Sequence, residues 1–396
     1  MPLPVMSLTP SGAHRAFRIF ASAAAGAVLL LGTPSAFAAA PQPTVVATQK
    51  AKVQLEVVAS GLQNPWGIAF LPDGRALVTE RPGRLRILGR DGKLSAPLAG
   101  VPTVDAVGQG GLLDVALDPD FARNQRIYLS FAEPRGNGLN GTSVARARLG
   151  QAGLSEVTVI FRQQPAMSGG HHFGSRLVFG RDGNLFVTLG DRNKGRDQVQ
   201  KLDTHIGKVV RIDRDGKAPA DNPYRKQTGA LPELWSVGHR NIQGAALNPQ
   251  TGELWTNEHG AKGGDELNRT LGGRNYGWPL VTYGTEYSGA KISDRTEAPG
   301  LESPVHYWVP SIATSGLAFY TGDAIPQWKG NVFVGGLKSM ELSRLELRDG
   351  KVVSEERLFG DALKKRIRAV VNGPGGTLYL LTDDSDGQIV RIGPAT

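Results

Sequence analysis

The segment from residue 168 to residue 192 carries the densest set of groups that could move a proton. His171 and His172 precede an apolar run, and Asp191 follows the next apolar run. A hairpin of this length can return Asp191 towards the histidines, and a carboxylate behind an imidazole fixes the tautomer of a general base. The simpler alternative is a histidine pair that only caps a loop. Beside Asp191 and a glycine-rich approach, the pattern favours a base.

A second candidate segment, "GHRNIQG" at 238–244, places Arg240 between His239 and Asn241. A buried arginine offers a rigid fork of donors for carboxylate or carbonyl oxygens. A solvated surface arginine is the competing interpretation of this segment. The fork predicts a binding partner with acceptor oxygens.

A third segment, "NEHGAKGGDELN" at 257–268, is a glycine-containing loop with the acidic residues Glu258, Asp265 and Glu266. Carboxylate and backbone carbonyl oxygens are suited to calcium. The loop is not an EF-hand, because the required spacing of acidic residues is absent. Taken alone, it is a weak signal for a metal.

The fourth set is basic and consists of Lys338, Arg366 and Arg368. Residues two apart on a strand face the same way, so Arg366 and Arg368 share a face. Together with Arg240 they predict a cationic pocket for a small polyanion, although the run "KKRIR" on its own resembles a solvated surface. Nucleic acid is a poor alternative, because the basic residues are dispersed and no recognised binding motif occurs.

These side chains can meet only if the strands that carry them converge, and a repeat in the sequence indicates how. An apolar strand, a turn rich in Asp, Gly or Pro, and a second apolar strand recur, which is hairpin chemistry. The six copies begin at Trp66, Leu112, Ser175, Gln243, Ser315 and Arg368. Further outer strands are predicted at Gly83–Leu88, Gly207–Asp213, Leu342–Leu347 and Gly387–Ile392.

Six such units over most of the chain predict an all-β fold, a six-bladed β-propeller of four-stranded antiparallel blades. In a propeller the inner strands converge on an axial channel, where loops from every blade can contribute to one site. Two sandwich domains are the competing interpretation, but no linker interrupts residues 52–392. We therefore predict one catalytic domain over residues 51–396.

The composition excludes several other classes of protein. The chain has 396 residues, 52 glycines and no cysteine, with 40% hydrophobic and 20% charged residues and a net charge of +9. Lack of cysteine excludes a disulfide scaffold, a thiol nucleophile, iron–sulfur or zinc sites made of cysteine, and covalent haem. Excess glycine without collagen periodicity fits many tight turns between short strands.

The N-terminal segment has the pattern of a secretory signal peptide. Arg15 and Arg18 precede an apolar run of residues 19–31, which is too short for a membrane span and is followed by small residues. We predict a signal peptide over 1–38 with cleavage near Ala38, then a Pro- and Ala-rich lead over 39–50. An uncleaved anchor is the alternative. The protein is thus expected to be periplasmic or secreted, with no integral membrane segment.

Several strings of this sequence resemble the soluble quinoprotein glucose/sorbosone dehydrogenase family. They are "GLQNPWGIAFLPDG", "GQGGLLDVALDPDF", "HHFGSRLVFG", "GDRN", "GHRNIQG", "EHGAKGGDELN", "GGRNYGWP" and "RIRAV". They occur in the family's order over about residues 53–392, and the compact loops are most similar to its aldose sugar dehydrogenase branch. The resemblance implies a six-bladed propeller that holds pyrroloquinoline quinone (PQQ), a tricarboxylate, together with calcium.

The resemblance also implies roles for individual residues. His172 matches the catalytic base, Asp191 the carboxylate behind it, and Gln109 the glutamine beside the reacting hydroxyl. The implied cofactor contacts are Arg240, Asn241, His259, Asp265, Lys338, Arg366 and Arg368, with Trp308 stacking on the cofactor or substrate. The backbone carbonyls of Gly260 and Ala261 match ligands of the catalytic calcium, and Glu266 with the backbone of Tyr276 resembles a second calcium site.

The implied reaction is oxidation of the C1 hydroxyl of an aldose to the lactone. Hydride passes from C1 to the quinone, calcium polarises the quinone carbonyl, and Arg240 stabilises the charge that forms. Electrons then pass to an external acceptor such as a quinone, a dye or a cytochrome. Two alternatives stay open, a calcium-dependent propeller lactonase and a non-enzymatic propeller that binds a polyanion or a protein.

Overall fold

The computed structural model describes residues 42–395, and these form six antiparallel sheets arranged as the blades of a β-propeller. Two strands precede the first complete hairpin, β1 (Thr44–Ala47) and β2 (Lys52–Leu62). The first blade contains β3 (Pro65–Phe70), β4 (Ala76–Glu80) and β5 (Arg84–Leu88). The second contains β6 (Leu112–Leu117), β7 (Arg126–Pro134), β8 (Leu139–Leu149), β9 (Leu154–Arg162) and β10 (Met167–Ser168).

The third to sixth blades follow the same order along the chain. The third contains β11 (Leu177–Phe179), β12 (Leu185–Thr188), β13 (Lys208–Ile212) and β14 (Leu234–Val237). The fourth contains β15 (Ile242–Leu247), β16 (Leu254–Glu258), β17 (Asp265–Arg269) and β18 (His306–Trp308). The fifth contains β19 (Thr314–Phe319), β20 (Val332–Gly336), β21 (Leu342–Arg348) and β22 (Lys351–Leu358). The sixth contributes β23 (Ile367–Asn372), β24 (Leu378–Thr382) and β25 (Gly387–Pro394).

Helices play little part in the described residues. The α-helices are α1 (Phe121–Asn124) and α2 (Gly360–Leu363), and the 3₁₀ turns are Arg196–Gln198, Pro326–Trp328 and Pro374–Gly376. Between residues 42 and 395, no helix has the length and apolar character needed to cross a membrane. The predicted signal peptide, residues 1–38, lies outside the described residues.

The core consists of layers between neighbouring blades. The second strand of the hairpin is buried at every residue in five blades, namely in β4, β12, β16, β20 and β24. Because these strands are covered on both faces, their side chains do not alternate between buried and exposed. Trp255 of the fourth blade and Phe319 of the fifth show the packing, with ring centroids 5.5 Å apart in an edge-to-face arrangement.

The sixth blade closes the ring with strands from both ends of the described chain. The order in its sheet is β1-β2-β25-β24-β23. Strand β2 pairs with β25 in antiparallel register, with Leu55 opposite Ile392 and Val57 opposite Val390. The predicted lead over 39–50 is therefore not entirely without regular structure, because β1 lies within it and pairs with β2.

The predicted fold class is confirmed, since each of the six sequence repeats supplies the first hairpin of one blade. The blades differ in the number of strands. The first blade has three strands, the second branches to five, and the sixth gains β1 as an extra edge. These additions lie at the outer edges of blades, where the number of strands does not affect the axial channel.

Candidate active site

In the third blade, the segment that contains His172 passes close to the segment that contains Gly190 and Asp191. His172 lies before β11 and Asp191 lies after β12, so the hairpin returns the carboxylate as the sequence predicts. The Nδ1 atom of His172 is 2.6 Å from Oδ1 of Asp191, and both side chains are buried. The crossing needs glycine at position 190, because a Cβ there would collide with the carbonyl oxygen of His172.

The carboxylate of Asp191 is held on both oxygens. Its Oδ1 also accepts the backbone N–H of Asn193 at 2.7 Å, and its Oδ2 accepts the indole N–H of Trp278 at 2.9 Å. Because three donors surround this acceptor, its orientation is fixed. The His172 ring therefore donates from Nδ1 and presents Nε2 as an acceptor.

The loop that carries His172 is held in an uncommon conformation. His172 has a positive φ of 54°, which is rare outside glycine. The buried guanidinium of Arg192 donates to the carbonyl oxygen of His171 at 3.0 Å and to that of Gly169 at 2.8 Å. It also donates to the side-chain oxygen of Asn140 at 2.6 Å. These hydrogen bonds from Arg192 hold the loop in its strained conformation.

The electrostatics of the pair suit a base that is neutral near pH 7. Burial lowers the pKa of His172, against the opposing effect of the hydrogen bond to Asp191, and the positive charge of Arg240 lowers it further. Burial alone would raise the pKa of Asp191, but the hydrogen bond from His172, the charge of Arg240 and the hydrogen bond from the backbone of Asn193 together outweigh it, and the pKa is lowered. A neutral imidazole in front of an ionised carboxylate can accept a proton.

Gln109 lies in the loop that leads into the second blade, and its side chain contacts the backbone of His172. Its side-chain oxygen accepts the backbone N–H of His172 at 2.8 Å. That bond fixes the orientation of the amide, because the oxygen must face the N–H. The NH₂ group of Gln109 is therefore directed away from the backbone of His172 and is available to a hydroxyl.

Arg240 and Asn241 cross the third-blade loop at the head of β15. The backbone N–H of Asp191 donates to the carbonyl oxygen of Arg240 at 2.7 Å, and Gly190 forms an isolated bridge with Asn241. The guanidinium of Arg240 donates to the carbonyl oxygens of His259 and Gly260. The two candidate segments are thus in direct contact.

The loop from His259 to Asp265 is tightly folded around one carboxylate. Asp265 accepts the backbone N–H of Gly260 at 2.9 Å and that of Thr314 at 3.2 Å. Burial raises the pKa of Asp265. The predicted cofactor contact therefore also positions the carbonyl oxygens of this loop, including those of Gly260 and Ala261.

His259 is a neutral acceptor among cations. Its Nε2 lies 2.7 Å from the carbonyl oxygen of Thr314, so the proton must be on Nε2 and Nδ1 carries the lone pair. Burial, with the positive charges of Arg240 and Arg368, lowers the pKa of His259 to about 3. The ring thus stays uncharged at neutral pH.

Two adjoining cavities open at this end of the propeller. The first, which we call the arginine cavity, has a volume of about 280 Å³ and is lined by residues that include Gln109, Arg366, Arg368 and Asp383. The second, the lysine cavity, has a volume of about 580 Å³ and is lined by residues that include Gly260, Ala261, Asp265 and Lys338. His259 and Ala313 line both cavities, so the cavities share a wall.

The predicted pair of arginines does converge. The Nη2 atoms of Arg366 and Arg368 lie 3.1 Å and 3.0 Å from the same oxygen of Asp383. Arg368 also donates to the side-chain oxygen of Gln243 at 2.9 Å, and the amide of Gln243 donates to Asn241 at 3.1 Å. Lys338 faces the neighbouring lysine cavity. The cations of the fifth and sixth blades thus surround adjoining spaces.

Several donors at this site have no protein acceptor. Among residues 42–395, the buried atoms without a hydrogen-bond partner include Nε of Arg240, Nε of Arg368 and Nδ2 of Asn241. Buried polar atoms in proteins are nearly always satisfied, so each exception calls for an explanation. These donors would be satisfied by a ligand rich in acceptor oxygens.

Glu266 follows the loop from His259 to Asp265, and its carboxylate lies close to that of Glu258. Glu258 and Glu266 both accept from the amide of Asn268, at 3.4 Å and 3.2 Å, and both line a small pocket with Tyr276. Burial and the neighbouring negative charge of Glu258 raise the pKa of Glu266 to about 8. Within residues 42–395, no three histidine or acidic side chains converge as a metal cluster. A metal in this region would therefore need backbone oxygens as well.

Trp308 is not brought to either cavity, contrary to the prediction that it stacks on a cofactor or substrate. It lies on β18, the outermost strand of the fourth blade, and is buried between blades. Its indole N–H donates to Glu355 of the fifth blade at 2.9 Å. Packing between the blades and the hydrogen bond to Glu355 are sufficient to explain an aromatic side chain at this position.

Four further residues support the site but were not predicted from the sequence: Arg81, Arg192, Trp278 and Asp383. Arg192 and Asp383 directly follow predicted strand ends, which is the same signal that identifies Asp191. Trp278 belongs to the irregular segment between β17 and β18, where periodicity gives no guidance. Arg81 follows β4 and lines the arginine cavity.

Comparison with known proteins identifies the family of the chain. Residues 62–391 match the family model for glucose/sorbosone dehydrogenase. The chain is 48% identical to aldose sugar dehydrogenase YliI of Escherichia coli (strain K12) over 87% of its own length and 94% of that protein.

Two solved structures extend the comparison to the fold. A crystal structure of a glucose dehydrogenase is similar with a TM-score of 0.84 and 51% identity, over 86% of this chain and 99% of that one. The PQQ-bound aldose sugar dehydrogenase of Streptomyces coelicolor has a TM-score of 0.72 and 28% identity, over 87% of this chain and 98% of that one. The chain therefore belongs to the glucose/sorbosone dehydrogenase family of oxidoreductases, in its aldose sugar dehydrogenase branch.

Proposed function

We propose that this protein oxidises the C1 hydroxyl of aldose sugars to the lactone, with PQQ as the hydride acceptor and calcium beside it. The main support is the contact between a buried acid–base pair and a set of unsatisfied hydrogen-bond donors. A buried His172–Asp191 pair joins, through the backbone of Arg240, a set of buried arginine and asparagine donors without protein acceptors.

The donor set fits PQQ, because this cofactor offers three carboxylates and two quinone oxygens, all of them acceptors. Arg366, Arg368 and Lys338 would hold the carboxylates, and Arg240 and Asn241 would donate to the quinone oxygens. Charge-assisted hydrogen bonds of this kind are the stronger ones in proteins. His259, which lines both cavities, would lie against the cofactor with its Nδ1 lone pair available.

Calcium would be held by the carbonyl oxygens of Gly260 and Ala261, since calcium prefers oxygen ligands and accepts backbone carbonyls. In this structure the carbonyl oxygen of Gly260 accepts from Arg240, so Arg240 would have to release it to calcium and donate to the quinone oxygens instead. Asp265 supports this assignment by fixing the loop through the N–H of Gly260. When bound, PQQ supplies the quinone that accepts hydride from the sugar, and calcium draws electron density from its carbonyl.

Glu266 and the backbone of Tyr276 would hold a second, structural calcium. Glu258 and Glu266 bring two buried carboxylates together beside one asparagine, and a cation there would relieve their repulsion. The enclosed pocket that they share with Tyr276 has room for little more than an ion.

The proton of the reacting hydroxyl would go to Nε2 of His172. The ring is neutral because burial lowers its pKa, and its Nδ1–H is committed to Asp191, which leaves Nε2 as the base. The imidazolium that forms is then stabilised by the ionised carboxylate. The NH₂ group of Gln109 would hold the hydroxyl near Nε2, and a positioned base of this kind contributes about 10²–10⁴-fold to the rate.

The two alternatives fit the structure less well. A propeller lactonase needs a cluster of acidic metal ligands at the axis, and no such cluster occurs in residues 42–395. A non-enzymatic module for a polyanion would explain Arg366 and Arg368 but not the buried His172–Asp191 pair. We also propose export through the signal peptide over 1–38 and electron transfer to an external acceptor, since the chain has no cysteine for covalent haem.

The test is reconstitution of the purified protein with PQQ and calcium, followed by the absorbance of the bound cofactor and by dye reduction over a panel of aldoses. We expect tight binding of PQQ and sugar-dependent reduction of the dye. Binding without dye reduction for any aldose would favour the binding module. Hydrolysis of aldonolactones without dye reduction would favour the lactonase.

A further inference from the structure

Arg81 is a third arginine at the arginine cavity, and it comes from the first blade. It follows β4, whose five residues are all buried, so its backbone is fixed by the core of the blade. Its guanidinium donates to the carbonyl oxygen of Gly108 at 2.6 Å. Its Nε atom is buried and, within residues 42–395, has no hydrogen-bond partner.

The charges at this cavity do not balance. Arg81, Arg366 and Arg368 line it together with one carboxylate, that of Asp383. Burial would raise the pKa of Asp383, but the positive charges of Arg368, Arg366 and Arg81 outweigh it and lower the pKa. Asp383 is therefore ionised and already shared between Arg366 and Arg368. One carboxylate cannot neutralise three guanidinium groups.

We propose that Arg81 is a further cofactor-binding residue, which pairs with a carboxylate of PQQ from the first blade while Arg366 and Arg368 act from the sixth. This inference rests on the proposed cofactor. It extends the anion site to the side of the cavity formed by Gly108 and Gln109. Asp383 then acts as a positioning residue, since it holds the arginines of the sixth blade at the cavity.

The position of Arg81 also links the cofactor site to the base. Arg81 binds the carbonyl oxygen of Gly108, and the side chain of the next residue, Gln109, accepts the backbone N–H of His172. A carboxylate bound to Arg81 would therefore lie one residue from the group proposed to hold the sugar hydroxyl. Arg81 of the first blade and the loop that leads into the second blade would thus bring the binding sites of both substrates together.

Calorimetric titration of apoprotein with PQQ in excess calcium tests the proposal. We expect Arg81→Ala to weaken PQQ binding about tenfold, in line with loss of one partly exposed charge-assisted pair. Its affinity should also depend less on salt than that of the wild type, because one charge pair has been removed. Arg90→Ala is the matched control, since it removes an exposed arginine of the same blade that lines neither cavity.

Arg81→Gln separates charge from loop positioning, because glutamine keeps a donor for the carbonyl of Gly108 but has no charge. Affinity as low as that of Arg81→Ala supports the proposal, and wild-type affinity in Arg81→Gln contradicts it. Equal weakening in Arg90→Ala would also contradict it. Thermal unfolding of each apoprotein checks that the variants are folded. Failure of the wild type to bind PQQ would instead refute the proposed cofactor.

Discussion

The polar groups around His172 and those that line the arginine cavity differ in how far their hydrogen bonds are satisfied by the protein. In the third blade, both oxygens of Asp191 have protein donors, from His172, Asn193 and Trp278. At the arginine cavity, Arg368 has two acceptors, yet its Nε is buried without one. The first cluster is complete within the protein, whereas the second has donors left over.

This difference indicates two kinds of preorganisation. A base must be oriented before the substrate arrives, so its supporting acceptors belong to the fold. A site for an anion must keep donors unsatisfied until the anion binds, and such donors are costly in a folded protein. Substitutions in the first cluster should therefore affect turnover, and substitutions in the second should affect cofactor affinity.

The largest expected effect comes from His172→Ala, which removes the proposed base. Turnover should fall by at least two orders of magnitude, because positioned bases contribute about 10²–10⁴-fold. PQQ affinity should stay near that of the wild type. Steady-state dye reduction and calorimetric titration give the two values. His171→Ala is the matched control, and loss of activity in that variant alone would move the base to His171.

The double variant Arg366→Ala with Arg368→Ala tests the arginine cavity and its proposed role in cofactor affinity. PQQ affinity should fall by several hundredfold, because two charge-assisted pairs contribute roughly 1.5–3 kcal/mol each. Neighbouring effects do not add strictly. Turnover at saturating PQQ should fall less, since neither arginine acts on the reacting hydroxyl.

Titration of this double variant with PQQ in excess calcium measures the effect. Its control is Arg90→Ala with Arg348→Ala, which removes two exposed arginines that line neither cavity. Unchanged affinity in the double variant would show that "KKRIR" is a solvated basic run, and the contrast between the two clusters would disappear.

A smaller effect is expected from Trp278→Phe, which keeps an aromatic side chain but removes the indole N–H from Asp191. The carboxylate then loses a donor and attracts the His172 proton more strongly, so the pKa of His172 should rise. We expect kcat/KM to fall up to about tenfold and its acid limb to move to higher pH. The pH dependence of kcat/KM distinguishes this from general destabilisation, which would leave the limb in place.

The smallest effect is in the wild type itself. Burial lowers the pKa of His172. The base therefore stays neutral even when the pH falls below about 6.5, the ordinary pKa of a histidine side chain. The acid limb of kcat/KM should therefore lie below that value, with activity lost only as His172 becomes protonated. A limb above it would mean that Asp191 dominates the titration.

The fold could be predicted because each blade repeats the same local pattern, and the candidate segments because they lie beside the ends of predicted strands. Asp191 follows a strand, whereas His172 and Arg240 precede one, and the choice of His172 over His171 came from the family resemblance. The repeats begin where the structure places β3, β6, β11, β15, β19 and β23. Local periodicity suffices for elements whose partners are their neighbours in sequence.

The remaining features depend on contacts between distant parts of the chain. The shared cavity of Arg81 and Asp383 arises only because the first and sixth blades are adjacent, and Trp278 reaches Asp191 from an irregular segment. The packing of Trp308 between blades could not be predicted, because an aromatic residue in that setting has the same sequence signature as a stacking platform. Strand β1 is only four residues long and has no repeat to reveal it.

The pairing of β2 with β25 imposes an order of events during biosynthesis. Strand β2 leaves the ribosome before β3, whereas its partner β25 follows β24, and pairings of such long range are slow to form. Until then β2 is an unprotected edge that can pair with other chains. The sixth blade also carries Arg366 and Arg368. A nascent or truncated chain could therefore assemble the base of the third blade while the anion site does not yet exist.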